Sequence, residues 1–165
     1  MQTREDVDGI IRRETLVSGL SNALFNGLIA WLLLRAGGNL TFAGEHSFAV
    51  DIMATAFILP FIVTLIVIPM NAKKRLAGKA PTIELDSRKP LEFFLLRFPN
   101  RLWLQALCFG LMAMLVFTPL TLLPLWVFDY REFTPTAYSL FKGGWAGIVA
   151  ALLTKPMLLL ALQEN

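Results

Sequence analysis

Ile52 to Ala72 reads IMATAFILPFIVTLIVIPMNA, a run without a single Asp, Glu, Lys or Arg, held between Asp51 and Lys73. It is longer than the roughly 18 residues that mark a membrane-spanning helix. Leu16–Leu34 and Leu102–Phe128 are equally free of charge. Across the 165 residues, 56% are hydrophobic and 16% charged, and the mean hydropathy is +0.61. An ordinary soluble domain carries about 25% charged residues. A core of this size could not bury such an apolar excess, and disordered chains are poor in apolar residues. The sequence is that of an integral membrane protein.

Four spans are expected, Leu16–Leu34, Phe48–Met70, Leu102–Phe128 and Thr136–Leu160, with Lys142 inside the last. They must be helices, because backbone groups in hydrocarbon have to bond within their own segment. Alternating ten-residue segments of the kind that build membrane barrels are missing. The fold expected is an all-α four-helix bundle, one membrane domain over residues 1–165. The first residues are of mixed charge (Arg4, Glu5, Asp6, Asp8, Arg12, Arg13, Glu14), unlike the basic start of a secretory signal. Leu16 onward is therefore read as a retained span.

Twelve of the fifteen basic residues fall before span one, between spans two and three, or near the end of span four. The positive-inside rule then puts the N-terminus, the loop 71–100 and the C-terminus in the cytoplasm. Within that loop, Lys73-Lys74-Arg75 through Lys79 is a basic patch. It suits anionic headgroups or simply topology, and topology alone suffices to explain it; no nucleic-acid partner is expected. Asp86-Ser87-Arg88-Lys89-Pro90 reads as a helix start with a capping side chain. Leu91 to Phe98 would lie in the interface until Pro99 stops it. Val7, Ile10 and Ile11 suggest a similar short helix before span one.

That parallel extends along the chain. A shift of 87 residues sets Pro69-Met70 on Pro156-Met157, and Leu20, Leu24, Leu28 and Leu65 on Leu107, Leu111, Leu115 and Leu152. Leucine identities in apolar helices are cheap. The matching order of surface helix, span, short loop and Pro-bearing span fits two tandem hairpins in a parallel repeat, as in several transporters.

Polar and small residues inside the spans form the candidate site. Ser18, Asn22 and Asn26 recur every four residues and share one helical face. Gly19, Ala23 and Gly27 run beside them, and span four carries Gly143 and Gly147. Small-xxx-small series let helix backbones approach closely, and Asn side chains can bond across such contacts. The Asn residues are thus either packing groups or the lining of a polar cavity. Asp51, with Thr55 one turn further on, and Lys142 sit at similar depth near the outer surface. An ionisable residue there costs at least about 2.5 kcal/mol and calls for a partner or a function. Three readings stand: Lys142 snorkels to the interface, it pairs with Asp51, or the two serve transport.

One His and one Cys leave little for catalysis. His46 alone makes no metal site, Cys108 alone makes no disulfide or redox pair, and no hydrolase or nucleotide-binding motif occurs. No enzyme activity, catalytic residue, metal or cofactor is expected. The run Asp51-Ile52-Met53-Ala54-Thr55-Ala56-Phe57-Ile58-Leu59-Pro60-Phe61, ending at Ile68-Pro69, together with Phe141-Lys142-Gly143-Gly144-Trp145-Ala146-Gly147, resembles stretches of small bacterial four-span, permease-like membrane proteins. The resemblance covers the spans only. It implies a bacterial inner membrane and transfers no functional residue. The functions expected are a small transporter or channel, oligomeric because four spans enclose little room, or an accessory subunit of a larger membrane complex. The partners expected are the lipid bilayer and either further copies or other membrane chains.

Overall fold

The computed structural model describes residues 4–164, with side chains from Val7 to Glu164. The Arg4, Glu5 and Asp6 side chains and Asn165, which entered the charge and topology reading, lie outside the described residues. Four helices are long and apolar enough to cross a membrane: α1 (Arg4–Leu34), α2 (Phe48–Leu76), α4 (Leu102–Val127) and α5 (Pro135–Leu162). The short α3 spans Pro90–Leu95, and two-residue strands β1 (Leu40–Thr41) and β2 (Glu132–Phe133) complete the order. The chain is a multi-pass, all-α membrane protein.

Two expectations about helix starts are corrected. No separate interfacial helix precedes span one, because α1 runs unbroken from Arg4. No proline interrupts Asp8 to Leu16, and Arg12, Arg13 and Glu14 are good helix formers. Before α4 the chain does break, at Pro99. The cap of α3 also differs: Lys89 occupies the N-cap and makes no side-chain bond there. Asp86 Oδ1 instead accepts from the Arg88 N–H at 3.0 Å, while Glu92 accepts from the Asp86 N–H and from Lys89 Nζ. Burial raises the Glu92 pKa, but those bonds outweigh it and hold the carboxyl below its usual range.

The helices do not pack in chain order. α1 lies along α5, α2 lies along α4, and α2 meets α5 between them, giving a lateral order α1–α5–α2–α4. Consecutive helices make few close backbone approaches. The 87-residue shift exchanges α1 with α4 and α2 with α5, so it turns the α1–α5 seam into the α4–α2 seam. The N-caps follow the same offset: Ser47 Oγ accepts from the Val50 N–H and Thr134 Oγ1 from the Ala137 N–H, both at 3.3 Å. Central placement shows in burial, for α5 is the one span whose apolar window is more than half buried, at 56%.

Both ends are tied. At one, β1 and β2 join the two short connections into an antiparallel ribbon, Leu40 opposite Phe133. Phe42, Phe48, Phe133, Tyr138 and Phe141 pack beneath it, mostly edge to face or tilted. This is the ribbon end. At the other, basic end, the loop after α2 is stitched to α5: the Ile83 N–H donates to the Leu162 carbonyl and the Glu164 N–H to the Ile83 carbonyl. Inside the helices, threonine hydroxyls bond back to carbonyls one turn earlier. Thr64 Oγ1 donates to the Pro60 carbonyl at 2.7 Å, and Thr121 Oγ1 to the Phe117 carbonyl at 2.6 Å. Thr121 in turn accepts from the Trp145 indole of α5 at 2.8 Å, a direct tie between α4 and α5.

Candidate functional site

The α1–α5 seam sets the geometry of the site. A Cβ built on Gly143 would lie 2.8 Å from the Ala23 carbonyl oxygen, and one on Gly147 would lie 2.8 Å from both the Gly19 carbonyl and Ala23 Cβ. Gly27 and Gly19 face the same seam from α1, at 3.3 Å or so from Ser139 and Gly147 backbone oxygens. The two backbones are therefore nearly in contact. Gly110 does the same for the second seam, 3.0 Å from the Phe57 carbonyl of α2. It stands 87 residues after Ala23.

Drawing α1 onto α5 leaves α1 and α2 apart, and a groove of about 520 Å³ opens between them. Its α1 wall is mostly polar: Glu14, Ser18, Ser21, Asn22 and Asn26 line it, with Val17 among them. Its α2 wall is apolar from Ile58 to Met70, with Asp51, Ala54 and Thr55 at one end, and Thr154 of α5 contributes as well. At 1.5 Å per residue the stretch from Asp51 to Met70 is about 28 Å long, close to the ~30 Å hydrocarbon thickness. Asn22 and Asn26 do not bond across a helix contact. Their amides donate to the Ser18 and Asn22 carbonyls of α1 at 2.8 and 3.0 Å, which leaves their carbonyl oxygens for the groove. Ser18 Oγ is buried and has no hydrogen-bond partner among the described residues.

An ion pair bounds the groove at each end. At the ribbon end Lys142 Nζ donates to both oxygens of Asp51, at 2.8 and 2.6 Å, and the Tyr138 hydroxyl also donates to Asp51. The Lys142 side chain keeps 15% of its accessible surface and Asp51 39%, so the carboxylate remains the more approachable partner. At the basic end Lys74 Nζ donates to Glu14 at 3.0 Å. Beyond the first pair lies a second hollow of about 190 Å³, lined by Ala30, Leu34, His46 and Ser47 and again by Asp51 and Lys142. The Asp51–Lys142 pair therefore stands between two cavities.

Asn22, Asn26, Asp51, Thr55 and Lys142 thus share one site, while Gly19, Ala23, Gly27, Gly143 and Gly147 form the seam behind it. Tyr138, Ser21 and Glu14 escape sequence reading. Tyr138 has one signal, its position four residues before Lys142 on the same helical face. Ser21 falls three residues after Ser18 and shares its face in the same way. Glu14 reads as part of a solvated N-terminus until α1 is known to be continuous. Compared with known protein families, curated proteins and solved structures, the chain matches none.

Proposed function

We propose that the protein is a small, oligomeric, permease-like transporter or channel of a bacterial inner membrane, with its termini in the cytoplasm. On this reading a small solute or ion moves along the α1–α2 groove. The observation that carries it is the Asp51–Lys142–Tyr138 cluster, set between an outer hollow and a membrane-length groove with a polar wall. A charged pair at that depth is costly unless it is used. Its bonds can be exchanged for bonds to a passing solute, so it suits a gate. The groove is open along one side, and further copies of the chain would close it. No catalytic reaction is part of this reading.

Flux through reconstituted vesicles tests it. Shrink–swell traces with urea, glycerol and potassium chloride should reveal a permeable solute for the wild type. Ala54→Trp should abolish that flux with the fold intact, because exposed Ala54 lines the groove and touches neither seam. Flux unchanged by Ala54→Trp would remove the groove as the path.

One feature favours the second reading, an accessory subunit of a larger membrane complex. A furrow of about 620 Å³ follows the opposite side of the α1–α5 seam, past Leu20, Gly27, Leu140 and Gly144. A Cβ on Gly144 would meet nothing within 4 Å, so another helix could approach there. Native purification separates the readings: a symmetric homo-oligomer supports transport, and stoichiometric other chains support the accessory role.

A further inference from the structure

At the basic end a further cavity, of about 260 Å³, lies where the end of α2, the end of α3, the start of α4 and the end of α5 converge. Arg75, Asn100, Gln105 and Gln163 provide its polar lining, among Ile68, Leu95, Phe98 and Leu102. Among the described residues Arg75 is the one charged residue lining it, and none of them is acidic. Its Nε is buried without a hydrogen-bond partner, and the guanidinium joins no ion pair among the described residues. A buried donor left without an acceptor is expensive, so Arg75 Nε calls for one.

The neighbouring backbone points the same way. Arg101 caps α4 without a side-chain bond. The Leu102 and Trp103 N–H groups therefore have no partner in the described chain, and Leu102 lines the cavity. Gln105 Nε2 is already committed to the Pro99 carbonyl at 2.9 Å. Free donors and positive charge thus converge, with no carboxylate among the described lining residues. The rest of the lining is apolar, and the cavity opens at the level where a long apolar helix leaves the hydrocarbon.

We propose that this cavity binds a phosphate group, that of an anionic phospholipid headgroup, with Arg75 as the charged ligand and the first turn of α4 supplying N–H donors. Guanidinium geometry suits two phosphate oxygens at once, and a helix N-terminus favours the anion. Pockets of this kind between transmembrane helices are known to hold acidic headgroups.

Thermal unfolding of the full chain in detergent, titrated with dioleoylphosphatidylglycerol, dioleoylphosphatidylcholine or inorganic phosphate, tests this. Phosphatidylglycerol should raise the midpoint saturably while phosphatidylcholine does not. Arg75→Gln should raise the half-saturating lipid concentration roughly tenfold or more, the effect of losing a charge-assisted hydrogen bond. Ala72→Leu, which fills the cavity and leaves the charge in place, should do likewise. Lys79→Gln, an exposed basic position outside the cavity, should change nothing. A shift with inorganic phosphate as large as with the lipid would assign the same site to a free phosphate. No shift with either ligand, or equal weakening by Lys79→Gln, would overturn the proposal.

Discussion

Gly147→Leu is expected to prevent α1 from docking on α5. Even a single added carbon at Gly147 would meet the Gly19 carbonyl and Ala23 Cβ at 2.8 Å, closer than real side chains approach. Backbone cannot rotate away as a side chain can. Gly147→Ala should therefore cost about 1–3 kcal/mol, the usual range for overpacking, and Gly147→Leu more than that. Gly143→Leu should behave alike, since its Cβ would lie 2.8 Å from the Ala23 carbonyl and 3.1 Å from Gly27 Cα. Gly144→Leu provides the control, one residue along α5 but facing open space. It should leave the melting temperature in detergent unchanged. Equal losses for Gly144→Leu and Gly147→Leu would mean that the close approach at the seam is not what the glycines serve.

The second large effect belongs to Asp51 and Lys142. Removing one partner leaves the other charge unpaired in a low-dielectric site, which for a fully buried pair costs about 3–5 kcal/mol. Asp51 keeps 39% of its side-chain surface, so about 2–3 kcal/mol is the appropriate expectation here, reduced by that exposure. Asp51→Asn and Lys142→Met should each destabilise more than the double variant does. Lys142→Met should be the worse of the two, because Asp51→Asn keeps a side-chain oxygen that can accept from Lys142, whereas methionine offers Asp51 no donor in place of the lost one. In a transport role the double variant folds and loses flux. A coupling energy near zero in the double-mutant cycle would show that Lys142 acts alone, reaching for the interface.

What the sequence makes legible is local. Charge-free runs give the spans, while the Ser47 and Thr134 caps are seen only once the helix starts are known. The spacing of Gly19, Ala23 and Gly27 marks a face that wants a close neighbour without naming it. Chain order suggests α2 as that neighbour, and the structure gives α5. Partner choice is a tertiary matter, settled by which small residues oppose one another, and here Gly143 and Gly147 oppose α1. The groove follows from that choice, so it could not be read before it. Asp51 and Lys142 are legible as a possible pair because depth can be counted along helices. Tyr138 is not, since a tyrosine in the first turn of a span reads as an interfacial aromatic. The stitching of the loop at Ile83 to Leu162 and Glu164 is backbone to backbone, and such bonds carry no side-chain signature.

Water in the α1–α2 groove is the premise on which a solute path rests, and cysteine labelling measures it directly. Cys108 is the sole native cysteine, so a Cys108→Ser background is easily made. Single cysteines at Ser21, Asn22 and Asn26 on the groove wall would be compared with Leu20, Leu24 and Leu28 on the exposed apolar side of α1. A charged, membrane-impermeant thiol reagent reacts with thiolates, which form only where water reaches. Labelling at Ser21, Asn22 and Asn26, with Leu20, Leu24 and Leu28 silent, is the result expected of a hydrated path. Labelling that is equally absent from both sets would contradict it, and would leave the polar wall of α1 as a dry surface against lipid or another helix.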